Sequence, residues 1–120
     1  MEQDQETPAR AKRAPERDFG GEWVEIGDEF FKVAPMSFGR LKVVIPLLTD
    51  MRTKVGVQTD AMDTMIQVVH IAVSRNYPGI TSEEIGDKLD IRNAQEVVTR
   101  IVEISGMKRG EPEGGKTPSP

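Results

Sequence analysis

The chain of 120 residues contains no cysteine, which excludes a disulfide framework and any metal site held by thiolates. Histidine is nearly absent too, and the single His70 has no neighbour in sequence that completes a catalytic triad or a metal-ligand pattern. The amino terminus lacks the apolar core of a signal peptide, and no apolar run is long enough to span a bilayer. An excess of positive charge is missing as well: the formal net charge is −4, spread along the chain, and gives no electrostatic footprint for nucleic acid. These absences describe a soluble, cytoplasmic protein.

Apolar residues are themselves unevenly supplied. Residues 1–18 hold no leucine, isoleucine, valine or aromatic side chain and mix acidic with basic groups. Such a stretch buries too little surface to offset its chain entropy, so it reads as a disordered charged tail. Residues 108–120, rich in glycine and proline, read as a second tail. Between them, residues 19–107 form a single domain with a core of adequate size.

The domain is organised around Asp60–Asn76, where Met62, Met65, Ile66, Val69 and Val73 recur at steps of three and four. That spacing predicts an α-helix with one buried face, capped by Asp60 and ended by Asn76, Tyr77 and Pro78. Upstream, EWVEI-GD-EFFKV predicts a β-hairpin whose Gly27 supplies the positive φ of a type II′ turn. Its register directs Val24, Ile26, Phe31 and Val33 to the core, and Trp23, Glu25, Phe30 and Lys32 to the other face. A two-stranded ribbon is marginal alone, so it must lie on helices or join strands of another copy or partner.

A helix capped by Ser37 follows, with Leu41, Val44, Ile45, Leu48 and Met51 at helical spacing. Pro46 removes one amide and crowds the preceding turn, predicting a kink or early stop. Residues 53–59 cross to the central helix, with Gly56 as the flexible point. Thr81 with Glu84 forms a capping box before a short helix, and Asn93 with Glu96 repeats it before a last helix that Gly106 ends. The fold class is α+β, mainly α: an N-terminal β-hairpin packed on a bundle of about four helices, with disordered termini.

Chemistry has few candidates. His70, beside the apolar stripe of the central helix, is better explained as a hydrogen-bonded structural residue than as a base or ligand. Asp60 with Asp63 and Glu83 with Glu84 are carboxylate pairs, but each sits where a helix N-terminus favours negative charge. The Gly20-Gly21 and Gly114-Gly115-Lys116 stretches join no strand to a helix and are not phosphate loops. The expectation is therefore a protein that is not an enzyme, with no cofactor and no metal.

Two binding surfaces remain. Trp23 and Phe30 are diagonal neighbours on the outer hairpin face, free to meet a partner or to pack under a tail or neighbouring subunit. Met51, Met62 and Met65, with Met36, gather where the kinked helix meets the central one, and methionine adapts to irregular partners as readily as it fills a core. The rival is a helix-turn-helix in residues 80–109, whose second helix offers Arg92, Asn93, Gln95 and Arg100 to DNA. Glu96 and Glu103 stand among them, and helix pairs with short connectors are common in any helical domain.

The string EWVEIGDEFFKVAPMSFGRLKVVIPLL, followed by DAMDTMIQVVHIAVSRNYPGITSEEIGDKLDIRNAQEVVTRIVEISGM, resembles the tail assembly chaperones of long-tailed bacteriophages. The likeness spans residues 23–107 and rests on element order and residue pattern. It implies a non-enzymatic protein in the cytoplasm of a bacterial host that binds and solubilises the tape measure protein, helps recruit tail tube subunits, and is absent from the finished virion. It also implies a longer form made by programmed frameshift, with Gly115-Lys116 as the candidate position because their codons can hold a slippery run. Candidate partners are then the tape measure protein, the tail tube protein, the frameshifted form and a second copy of the chain, with no nucleic acid and no membrane. The family carries no motif-defined binding residues, and the charged N-terminal stretch is outside its pattern.

Overall fold

The computed structural model describes residues 11–53 and 58–107. The Gly56 connector and both candidate frameshift residues, Gly115 and Lys116, lie outside the described residues.

The hairpin forms as its residues dictate. Strands β2 (Glu22–Ile26) and β3 (Glu29–Val33) pair antiparallel, with Ile26 opposite Glu29 and Val24 opposite Phe31. Gly27 has φ +67°, and no residue other than glycine has positive φ among the described residues, as a type II′ turn requires. Val24, Ile26, Phe31 and Val33 are all buried, each removing about 1.5–3 kcal/mol worth of apolar surface from water.

A third strand corrects the sequence reading. Ala11–Arg13 forms β1, which pairs parallel with β3, so the sheet order is β1-β3-β2 and the domain begins within the expected tail. Composition missed it because this strand buries no large apolar side chain; it is held by backbone ladder bonds and by polar groups from distant elements.

Four helices follow: α1 (Phe38–Thr53), α2 (Gln58–Val73), α3 (Ser82–Lys88) and α4 (Ala94–Ile104). Of the kink or early stop expected at Pro46, the early stop is overturned: α1 runs through it. Pro46 and Lys42, whose carbonyl loses its donor, are both exposed, which leaves that carbonyl to solvent. Helix α2 is the centre of the fold, in contact with α1, α3, α4 and β3, and it buries Val68, Val69, Ala72 and Val73. Asp60 lies inside its first described turns instead of capping it. The hairpin rests on helices of its own chain, β2 against α4 and β3 against α2.

The helix ends divide between expectation and correction. Thr81 caps α3 by accepting from the Glu84 amide at 3.1 Å. The Glu84 carboxylate does not complete the box, because it is drawn to Arg13 of β1. Asn93 makes no side-chain cap for α4; the turn is built by the Asp90 carboxylate, which accepts from the Arg92 and Asn93 amides at 2.8 Å each. Asn93 Oδ1 in turn accepts from the Asp90 amide. At the far end Gly106, at φ +85°, closes a Schellman motif: the Met107 amide donates to Val102 O and the Gly106 amide to Glu103 O.

Candidate functional site

Strand alternation directs Trp23 and Phe30 to the outer face of the sheet, Trp23 opposite Lys32 and Phe30 opposite Glu25, so they are the diagonal neighbours expected. Both are half-buried. Part of their cover is β1, which brings Lys12 alongside Phe30 and its ammonium 5.3 Å from the centroid of the Trp23 ring. Packing under the N-terminal segment thus takes part of the surface that the hairpin alone would present.

Trp23 also forms one wall of a half-open groove of about 570 Å³ between β2 and the first half of α4. Strand β2 is one edge of the sheet. Across the groove stand Arg92, Asn93, Glu96 and Arg100, with Glu25 and Asp90 among the other lining residues. Arg100 donates to the Glu22 carboxylate at 2.9 Å, and Asn93 Nδ2 turns inward to Lys88 O at 3.0 Å. Two of the four side chains that a DNA-reading helix would present are thereby engaged, and carboxylates flank the others.

The methionines lie elsewhere. Met51 is on the last turns of α1 and Met62 and Met65 are on the first turns of α2, so all three stand at the connecting end, or tip, of the α1–α2 helical hairpin. Met62 is on the same stripe as the core residue Val69, yet it is 46% exposed, because the stripe runs past the part of α2 that the other elements cover. Met51 and Met65 are half-buried, whereas Met36 is in the core. Helix α1 adds to this surface. Of its many apolar side chains Val44 is fully buried, while Phe38, Val43 and Ile45 are 86%, 52% and 47% exposed. A helix apolar on several sides but packed on one neighbour has surface to spare. The tip and the Trp23–Phe30 face are separate surfaces, on the α1–α2 helical hairpin and on the sheet.

His70 is half-buried, and its Nε2 donates to Ile80 O at 2.9 Å, which places the proton on that nitrogen. This is the hydrogen-bonded structural role expected of it.

The pair that follows α2 is what sequence reading missed. Asn76 and Tyr77, expected merely to end the helix, are fully buried. The Tyr77 hydroxyl accepts from the Lys32 amide at 2.7 Å and donates to Arg13 O at 2.6 Å, joining β3 to β1, while its ring meets Phe31 edge-on at 5.1 Å. Burial pushes the Tyr77 hydroxyl above its ordinary range. Asn76 Oδ1 accepts from the Phe19 amide at 2.8 Å, its Nδ2 donates to Gly20 O and Lys32 O, and its backbone carbonyl accepts from the amides of Glu16 and Arg17. Nearby, Arg13 reaches Glu84 and Glu29, and Lys88 reaches Asp28 and Glu29. Glu84 holds the Arg13 guanidinium above its usual range, and Asp28 does the same for Lys88. The available signal was a polar residue directly before a tyrosine at the end of the most apolar helix, where an unpaired amide would be costly.

No group of acidic or histidine side chains that could hold a metal occurs among the described residues, and no described helix is long and apolar enough to cross a membrane. Compared with known proteins, the chain matches no family model, no curated sequence and no solved structure.

Proposed function

We propose that this chain is a tail assembly chaperone of the long-tailed phage type, which binds and solubilises the tape measure protein in the host cytoplasm and helps recruit tail tube subunits without catalysing a reaction. The observation that carries this reading is the α1–α2 helical hairpin, which leaves Val43, Ile45 and Met62 about half exposed beside the buried core. Apolar side chains on a helix edge suit a client whose own helices carry apolar stripes, because each then covers what the other exposes to water. Methionine at the tip lets the surface fit stripes of differing shape. The resemblance in element order and residue pattern supports the same role.

The test is co-expression with a tape measure protein from the same genome, scoring the soluble fraction of the client. Ile45→Ser with Met62→Ser is expected to lower client retention with the chaperone still folded by circular dichroism. Trp23→Ala with Phe30→Ala tests the sheet face in the same assay and, because Lys12 and β1 partly cover it, is expected to act more weakly. Unchanged retention in both variants overturns the reading, as does tight, salt-sensitive binding of duplex DNA in a low-salt gel shift.

A further inference from the structure

The sheet order leaves two edges, and they differ. At one, the N-terminal strap, residues 11–19, supplies the three-residue edge strand β1, whose Arg13 carbonyl is taken by the Tyr77 hydroxyl. At the other, the five residues of β2 run about 17 Å with no further strand beside them among the described residues. The alternation of an antiparallel ladder decides which backbone groups face that side. Lys32 donates its amide to the Tyr77 hydroxyl and accepts at its carbonyl from Asn76 Nδ2, away from β2, so its pair with Trp23 is of the non-bonded kind. Trp23 therefore turns its own N–H and C=O to the open edge, where neither meets a hydrogen-bond partner among the described residues.

The groove between β2 and α4 lies along this edge. Trp23, Val24 and Glu25 all line it although strand alternation sends them to opposite faces, so its floor is the edge of the strand itself. Arg100 beside Glu22 marks one end and Asp90 with Gly27 the other, while Val24 and Val97 give it a buried apolar side. Its volume of about 570 Å³ suits a few residues of chain. Of the lining charges, Arg100 is matched by Glu22 and Glu103. The rest are Glu25, Asp90 and Glu96 against Arg92, and Glu96 is exposed with no ion pair among the described residues.

We propose that this groove binds an extended peptide by strand addition to β2, one that carries an apolar side chain between basic ones on the face turned to α4. An open strand edge beside a helix meets both needs of such a ligand: main-chain bonds give affinity and side-chain slots give selection. The peptide residue set opposite Trp23 exchanges N–H···O bonds with it. Its neighbours turn towards α4, an apolar one onto Val24 and Val97 and a basic one, two positions further along, to Glu96. The same carboxylates reject an acidic peptide. This site shares no residue with the α1–α2 tip and does not rest on the proposed client role.

Trp23 is the chain's one tryptophan, so its fluorescence and its amide exchange report on the site directly. The probe is the peptide acetyl-Thr-Lys-Thr-Val-Thr-Lys-Thr-amide, titrated into the full-length protein. The expected result is a saturable change in Trp23 fluorescence together with slowed hydrogen exchange of the Trp23 amide. Replacing both lysines of the peptide by glutamate, or its two inner threonines by proline, is expected to weaken binding about tenfold or more, the first through charge and the second by removing donors to the edge. Glu96→Lys is expected to abolish the preference for the lysine peptide over the glutamate one, and an unchanged preference overturns the basic ligand. No saturable change with the lysine peptide overturns the proposal, as does equal binding of the proline peptide. A Trp23 amide already protected before peptide is added also overturns it, assigning the edge to a second copy if protection grows with protein concentration and to another segment of the chain if it does not.

Discussion

The two ends of helix α2 hold the molecule together by opposite means. At its C-terminal end Asn76 and Tyr77 are wholly buried polar residues with their hydrogen bonds satisfied by the strap and by β3. At its N-terminal end Met62 lies half exposed beside an α1 that shows Val43 and Ile45 to solvent. One end has polar groups with little freedom to change partners; the other has apolar groups whose contacts are incomplete. A satisfied buried network specifies one arrangement, whereas an uncovered apolar edge favours association with whatever covers it.

The largest expected effect of breaking this contrast is at the polar end. Tyr77→Ala removes a buried ring and strands the Lys32 amide, and should cost about 3–5 kcal/mol in a urea titration. Gly27→Ala comes next: the left-handed φ is strained for alanine, and the new Cβ would lie 2.9 Å from Lys88 Cβ. It should cost about 1–3 kcal/mol in the same titration.

Tyr77 is the chain's one tyrosine, so absorbance reads its ionisation alone. Its folded pKa is raised by burial. Its contribution to stability is therefore fully present below the unfolded value of about 10 and is lost as pH rises through the folded one. The titration midpoint should lie above that of the urea-unfolded chain, and equal midpoints would contradict the buried hydroxyl.

The weakest effects on folding belong to the apolar end. Val43→Ser or Ile45→Ser should change stability by no more than about 0.5 kcal/mol, while soluble client falls in co-expression. A large loss of stability would place these residues in the core and reverse the comparison.

Much of the fold was legible because apolar periodicity reports burial directly. The hairpin register, the Val69 and Val73 part of the buried face of α2, the buried face of α4, and the Gly106 cap follow from side-chain spacing and from the needs of a left-handed glycine, whereas the fully buried Val68 lay outside the expected stripe. Misreadings arose where a polar residue had a local and a distant partner to choose between. Glu84 has the spacing of a capping box but pairs with Arg13, 71 residues away; Asn93 has the look of a cap but is held by Asp90 and Lys88. For the candidate surfaces, the methionine tip could be placed from helix periodicity. The partial cover over Trp23 could not, because it depends on Lys12 arriving along a strand with no apolar pattern.

By itself the sequence determined which residues seek the core, where the hairpin turns and where the last helix ends, since these depend on spacing and on glycine's conformational freedom. Tertiary structure alone decided that the N-terminal strap joins the sheet, that Asn76 and Tyr77 receive it, and that the apolar stripe of α2 outruns its cover. Those outcomes depend on hydrogen-bonding groups and surfaces brought together from far apart in the chain, and a buried amide or hydroxyl shows its partner only once the chain has closed around it.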